Sequence, residues 1–488
     1  HENAGGFMAE GTYHATGAPG ILLATIGPGI ANAVNVAANA LQDRVPLIVI
    51  SGCVDASTAM TYTHQVCDHR AMMAPVVRAG FTAVDGAIEE TIDKAIAIAT
   101  DSPPGPVHID LPIAVAAAEQ PARSYPPRAA NAALMPAPGP ELDAARAMLA
   151  AAERPLVIAG MDVLFQRSEA AVARFCRDRR IPLLTTYKAK GILPEDYPLA
   201  LGGHGLSPLS DRYLMPLIEQ ADLVISAGYD PIEMRDGWRN PWDPAKVVEF
   251  RAVANDHYVH QAKHTFLCDV GAGLDALGLD VAVKPVWSNG EPDAVRAALA
   301  DAFAGGEGWG PHMAFRTLRE ALPRETVATA DSGAHRILLS QIWPCFAPRT
   351  LLQSTAFCTM GCAVPIAIGY KQASPQTPVI AFVGDAGLEM ILGELATLRD
   401  LRLPVLICVL VDESLALIER KQRAMGYDNT GVDFGLTDFA AVAEAVGGHG
   451  VAISDAATLA AEAAAALGRD TFTVLACHIG RKAYEGAF

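Results

Sequence analysis

Four residues, Gly384-Asp385-Ala386-Gly387, stand between the apolar run Pro378–Val383 and a stretch with helical periodicity. Glycines that follow a strand let backbone N–H groups come close to a diphosphate, and the N-terminus of the next helix adds favourable partial charge. Further on, the run Val405–Val411 ends in Asp412-Glu413-Ser414, so a second carboxylate lies 412 − 385 = 27 residues beyond the first. Adjacent parallel strands would carry Asp385 and Asp412 to one sheet edge. Mg²⁺ prefers octahedral oxygen ligands and commonly bridges one or two carboxylates to phosphate oxygens, which is the chemistry such an edge offers. Taken alone, the same residues also read as a helix cap at Asp385 and a turn at Asp412.

The elements that must position these groups recur along the chain. A first unit, 1–115, is expected to hold a buried strand at Ile21–Ile26, a turn at Gly27-Pro28-Gly29, a helix from Ile30 to Leu41, a strand from Val45 to Ser51, a helix over 86–100 and a strand at Val107–Asp110. Short apolar strands alternating with helical periods predict a parallel sheet covered by helices. The Ala- and Pro-rich stretch 116–140 reads as a linker. A second unit, 141–283, carries a helix over 141–152 and strands at Leu156–Ala159 and Asp222–Ser226. After a loose stretch, a third unit, 294–488, has strands near 326–330, 378–384, 404–411 and 471–477. The expected fold class is α/β, with three doubly wound parallel-sheet domains.

Composition agrees with that division. The chain has 488 residues, 51% of them hydrophobic, enough for several cores at about 150 residues per domain. A net charge of −17 argues against a nucleic-acid partner, which needs a basic surface. The nine cysteines form no C-x-x-C pair and sit in apolar runs such as Leu406–Val409. They read as reduced core thiols of a cytoplasmic protein rather than as a zinc site. No apolar run reaches the roughly 18 residues of a membrane span. The expectation is a soluble, cytoplasmic protein with neither nucleic-acid nor membrane partners.

The span from Gly384 to Asp412 resembles the motif of thiamine-diphosphate-dependent enzymes, which opens with Gly-Asp-Gly and closes with Asn-Asn. Here Ala386 replaces the last Gly, and Val411 and Asp412 replace the two Asn. The resemblance implies thiamine diphosphate and Mg²⁺ as cofactors. Gly384, Ala386 and Gly387 would touch the diphosphate, and the metal would be held by Asp385, Asp412 and the backbone carbonyl of Ser414. The segment Thr359–Gly369 is similar to the family stretch whose bulky apolar residue props the cofactor in its bent form. Met360 would be that prop, with Cys358 beside it at the cofactor; a methionine there is also ordinary core filling. The turn Asp331–Arg336 matches the one that holds the diphosphate in the acetolactate-synthase branch, which makes His335 a cofactor contact, although a lone His after a strand is readily structural.

The segment His1-Glu2-Asn3-Ala4-Gly5-Gly6 resembles the family's His-Glu segment, whose Glu contacts N1' of the aminopyrimidine. To donate a proton there, Glu2 would need a dry pocket and a raised pKa. The loop Thr25–Gly29 follows at family spacing and puts the turn around Pro28 at the cofactor. Thr63–Asp68 is closest to the catabolic acetolactate synthases, where a His-Gln pair faces the reacting ring, so His64 and Gln65 join Glu2 as catalytic candidates. Family members carry a helix and a strand before the His-Glu segment while this sequence begins at His1, and a missing N-terminal segment is expected. Lys421 stands where biosynthetic enzymes have tryptophan; turned inward it could bind a carboxylate, turned outward it is a solvated helix lysine. Asp230–Glu233 stands in place of the arginine-bearing stretch that accompanies FAD, so FAD is not expected. The implied activity is decarboxylation of a 2-oxo acid, pyruvate first, with ligation to a second 2-oxo acid to give an acetolactate-type product. A non-ligating decarboxylase and an inactive cofactor-binding homologue are the alternatives. The family's sites lie between subunits, which implies a homodimer or homotetramer.

Overall fold

A computed structural model describes residues 1–120, 132–234, 236–255 and 257–488. Among them sixteen strands form three sheets, paired in parallel throughout. The first contains β1 (Gly20–Ala24), β2 (Leu47–Cys53), β3 (Ala79–Thr82) and β4 (Val107–Pro112), in the order β1-β2-β4-β3. The second contains β5 (Pro155–Ala159), β6 (Leu183–Thr186), β7 (Ala200–His204), β8 (Leu223–Ala227), β9 (Val247–Arg251) and β10 (His264–Leu267), in the order β10-β9-β8-β5-β6-β7. The third contains β11 (Val327–Ala330), β12 (Leu351–Gln353), β13 (Val379–Gly384), β14 (Leu406–Val411), β15 (His449–Ile453) and β16 (Thr473–His478), in the order β12-β11-β13-β14-β16-β15.

The runs Val379–Val383 and Leu406–Val411 are buried along their whole length because helices cover both faces of the sheet. Strand β1 differs from the fully buried strand expected. It alternates, leaving Ile21 at 65% and Leu23 at 71% exposure, because it is an edge strand covered on one face only. The single helix expected from Ile30 to Leu41 is two, Pro28–Asn32 and Val34–Gln42, broken at Ala33. The helix Ile113–Ala117 runs across the expected boundary into the start of the linker, and residues 121–131 lie outside the described set.

The first and third units meet along two helices, Glu2–Thr16 and Ala363–Ala373. A Cβ at Gly11 would overlap the carbonyl oxygen of Ile366, and one at Gly369 would overlap that of Met8. Only glycine lets the backbones approach this closely. Among the described residues no helix is long and apolar enough to cross a membrane.

Candidate functional site

In an open parallel sheet, ligands bind beyond the carboxyl ends of the strands where the strand order reverses. In the third sheet that point lies between β11 and β13, whose carboxyl ends lead into Asp331-Ser332-Gly333 and Gly384-Asp385. A cavity of about 230 Å³ opens there. His335, Cys358, Met360, Gly384, Asp385, Ala386, Gly387, Asp412 and Ser414 line it, so nine of the expected residues converge from four separate segments.

Asp385 and Asp412 end the neighbouring strands β13 and β14. Asp385 Oδ2 accepts the backbone N–H groups of Asp412 at 3.0 Å and Glu413 at 2.7 Å, and Oδ1 accepts that of Ala386 at 2.9 Å. Burial raises the Asp385 pKa, and these N–H donors work against it. Asp412 is pushed up to about 8, first by burial and then by the charge of Asp385. Two buried acids that oppose each other's ionisation are a setting a divalent cation relieves. Among the described residues no group of three or more His, Cys, Asp or Glu side chains could hold a metal by itself. A cation here would need further oxygens from a ligand, from water or from the backbone.

The cavity wall also carries buried polar atoms with no partner: Ser332 Oγ, His335 Nε2, Arg336 Nε and Tyr484 Oη. Such atoms cost free energy unless a polar ligand satisfies them. Burial, then the charge of Arg336, pushes His335 down to about 3, so its imidazole is neutral. A Cβ at Gly333 would lie 2.7 Å from His335 Cε1, so glycine leaves the ring its place. This chemistry fits an anionic group with many oxygens, a diphosphate among them.

Met360 is set by Asp331, which is buried at the end of β11. Its carboxylate accepts the N–H of Gly361 at 2.8 Å and of Cys362 at 2.8 Å, fixing the turn that carries Met360 into the cavity. A Cβ at Gly387 would overlap the same carboxylate. Cys358 and Glu413 hold left-handed backbone, at φ 59° and 55°, a strain that concentrates at functional sites. Neither Asp331's clamp nor Tyr484 was expected. Asp331 follows a strand in the motif and could have been found as a cap, whereas Tyr484 arrives from the C-terminal segment with no pattern around it.

The first-unit candidates do not line this cavity. Glu2 opens the helix Glu2–Thr16, and its Oε2 accepts from Asn32 Nδ2 at 3.0 Å. That hydrogen bond is the largest cause of a lowered pKa at Glu2, the reverse of the shift expected, because no dry pocket of this chain encloses the carboxylate. A Cβ at Gly29, next to Pro28, would lie 3.3 Å from Glu2 Oε1, and one at Gly27 would overlap the Gln65 carbonyl. Glu2, the Gly27–Gly29 turn and Gln65 thus form a second cluster, with His64 and Gln65 on an exposed loop. Nearby, a wider depression of about 750 Å³ is bordered by His1, Asn32 and Phe357, but no lining side chain there has a buried polar atom without a partner. Lys421 is exposed on the helix Ala416–Ala424 and does not line the 230 Å³ cavity.

Fold and site together define a three-sheet α/β protein with a polar, acid-flanked crevice at the switch point of its third sheet. Three family profiles cover much of the chain: the N-terminal TPP binding domain of thiamine pyrophosphate enzymes over 1–72, their central domain over 142–277 and their C-terminal TPP binding domain over 331–477. Similar proteins include acetolactate synthase isozyme 1 large subunit of Escherichia coli, 30% identical over 86% of this chain and 75% of that one. The probable acetolactate synthase large subunit of Methanocaldococcus jannaschii is 29% identical over 92% and 79%. The probable 2-ketoarginine decarboxylase of Pseudomonas aeruginosa is 29% identical over 92% of this chain and 80% of that one. The chain belongs to the thiamine pyrophosphate enzyme family, among its acetolactate-synthase-like members.

Proposed function

We propose that this enzyme uses thiamine diphosphate with Mg²⁺ to decarboxylate a 2-oxo acid, pyruvate best, and to join the product to a second 2-oxo acid, giving acetolactate or a close analogue. The observation that carries this reading is the meeting of Asp385 and Asp412 with the unpartnered Ser332, His335, Arg336 and Tyr484 atoms in one cavity. Bound thiamine diphosphate supplies the electron sink that loss of CO₂ from a 2-oxo acid requires. Asp385, Asp412 and the Ser414 carbonyl hold the metal, while Gly384, Ala386 and Gly387 leave room for phosphate oxygens. His335, neutral, offers them a hydrogen bond. Met360, held by Asp331, shapes the wall beside the cofactor, with Cys358 adjacent.

Glu2, His64 and Gln65 work from the other half of the site, Glu2 holding a proton at the cofactor's pyrimidine and the pair binding the substrate carboxylate. Because those residues stand outside the cavity in one chain, the working site joins the first unit of one subunit to the third of another. Exposed Ile21, Leu23, Met60, Tyr62 and Val66 on the first unit suit such an interface and a homodimer or homotetramer. At the switch point of the second sheet, between β5 and β8, the two loops touch: a Cβ at Gly160 would lie 2.7 Å from Tyr229 Cα. A protein without FAD remains part of this reading because of the stretch Asp230–Glu233 on that loop. The nine free cysteines suit a cytoplasmic location.

A second reading is simple decarboxylation. It is favoured by Lys421 standing outside the cavity and by the likeness to the Pseudomonas protein whose name is a decarboxylase. Incubation with pyruvate as sole substrate separates the two. Acetolactate, read as acetoin after acid treatment, exceeds acetaldehyde if ligation is the reaction; dominant acetaldehyde rejects it in favour of the decarboxylase.

A further inference from the structure

We propose that His69 is a positioning residue for Glu2, acting through the backbone of Gly27. The inference rests on the role assigned to Glu2 above and explains what holds that carboxylate in place.

His69, Asp110, Ser51 and His108 form a buried chain of hydrogen bonds under the first sheet's carboxyl edge. Strand pairing puts Ser51 of β2 opposite Asp110 of β4, and His108 lies two residues before Asp110 on the same strand face. Ser51 Oγ donates to Asp110 Oδ1 at 2.8 Å and lies 2.8 Å from His108 Nε2. His69 Nδ1 lies 2.8 Å from the same Asp110 oxygen, and the backbone N–H of Gly27 donates to His69 Nε2 at 3.1 Å.

A backbone N–H can only donate, so His69 Nε2 carries no proton and the ring is the neutral Nδ1–H form, with Nδ1–H donating to Asp110. Ser51 spends its proton on Asp110, so its oxygen accepts from His108 Nε2–H. Every proton in the chain is thereby assigned, and its terminus is the acceptor beneath Gly27.

Gly27 has φ 64°, a left-handed conformation, and starts the short helix Pro28–Asn32. The last residue of that helix, Asn32, donates to Glu2, and Gly29 within it lies against the other Glu2 oxygen. On the opposite side Gly27 abuts the backbone of Gln65. Moving Gly27 therefore moves the Asn32 side chain that holds Glu2. His69 touches no substrate in this account and acts only through the turn.

The test uses the full chain with thiamine diphosphate and Mg²⁺, and the variants His69→Leu, His69→Gln and Glu2→Gln. Two quantities are read: hydrogen exchange at the Gly27 amide without cofactor, and exchange of the C2 proton of bound thiamine diphosphate. In His69→Leu the Gly27 amide should lose about tenfold in protection, and C2 exchange should slow by about 10²-fold, as a misplaced catalytic group does. His69→Gln keeps an acceptor at similar reach and should restore most of both. Parental C2 exchange in His69→Leu overturns the inference, and so does a Gln variant as slow as the Leu variant, which would indicate general core damage. Should His69→Leu fail to fold, ring ¹⁵N NMR of the unaltered protein, with His69→Gln assigning the signal, decides: an Nε2–H or doubly protonated ring overturns it. Parental C2 exchange in Glu2→Gln, with Gly27 protection lost in His69→Leu, is distinguishable: the turn is then held as described but the Glu2 assignment fails, and the positioning role falls with it.

Discussion

Asp385 accepts the backbone N–H of Asp412 at 3.0 Å, so the carboxylate at the end of β13 fixes the chain that presents the second carboxylate. On the metal assignment proposed above, replacing Asp385 by Ala removes one ligand and the anchor of the other. Cofactor affinity, measured by fluorescence quenching after dialysis with fresh Mg²⁺, should fall by at least about 100-fold, beyond the usual effect of losing a supporting partner alone. Chelating the metal from the unaltered protein should release the cofactor similarly. Parental affinity in Asp385→Ala would remove both acids from the metal site.

Tyr484 presents opposite signs in its two states. Its hydroxyl is buried without a partner, and burial, then the charge of Asp412, raises its pKa well above the usual phenol value. Tyr484→Phe should raise the melting temperature of the cofactor-free protein, since an unsatisfied buried hydroxyl costs about 1–3 kcal/mol. The same change should weaken thiamine diphosphate binding. A variant less stable without cofactor, or unchanged in affinity, would mean that the hydroxyl has another partner.

How far these groups were legible in the sequence depended on the range of the contacts that make them. Asp385 and Asp412 could be placed because β13 and β14 are continuous apolar runs whose ends are unmistakable. The short strands β6, β7, β9 and β10 were not foreseen: β7 contains two glycines and β10 is only partly buried, so neither has a strong apolar period. The clamp of Asp331 on Gly361 joins residues 361 − 331 = 30 apart, and Tyr484 reaches Asp412 from 484 − 412 = 72 residues away. Local pattern carries no trace of either. Glu2 was expected in a dry pocket from its motif, but a side chain's solvent depends on what packs over it, which the motif does not encode.

Acid should destabilise the cofactor-free protein. Burial holds His108 down to about 4 and His204 and His335 each to about 3. In the unfolded chain all three titrate near about 6.5, so below that pH the unfolded state binds protons that the folded state refuses, and stability falls with falling pH. Asp412, raised to about 8, has the opposite sign: folded, it keeps a proton that the unfolded chain loses above about 3.9. Among these four groups, three protons against one leave a net loss of stability on acidification. A melting temperature that stays level from about pH 7 to about pH 5 in metal-free buffer would contradict this balance.

Gly369→Ala should be among the most damaging single-methyl changes, because the new Cβ meets the backbone of Met8 rather than a side chain that could swing away. Overpacking of this kind costs about 3 kcal/mol. Denaturant midpoints for Gly369→Ala and for an exposed control, Ala424→Gly at the end of the helix Ala416–Ala424, should differ clearly. Equal midpoints would show that the two helices separate easily.

The helix Glu2–Thr16 belongs to the first unit by sequence, yet its backbone rests on the third. The seam makes these two units partners in unfolding: neither can open far without prying apart backbones that touch. Stabilisation then spreads past the point of contact. A ligand seated in the third sheet's crevice slows the opening of first-unit amides it never meets, since the favourable free energy of binding is charged against every excursion that would part the pair.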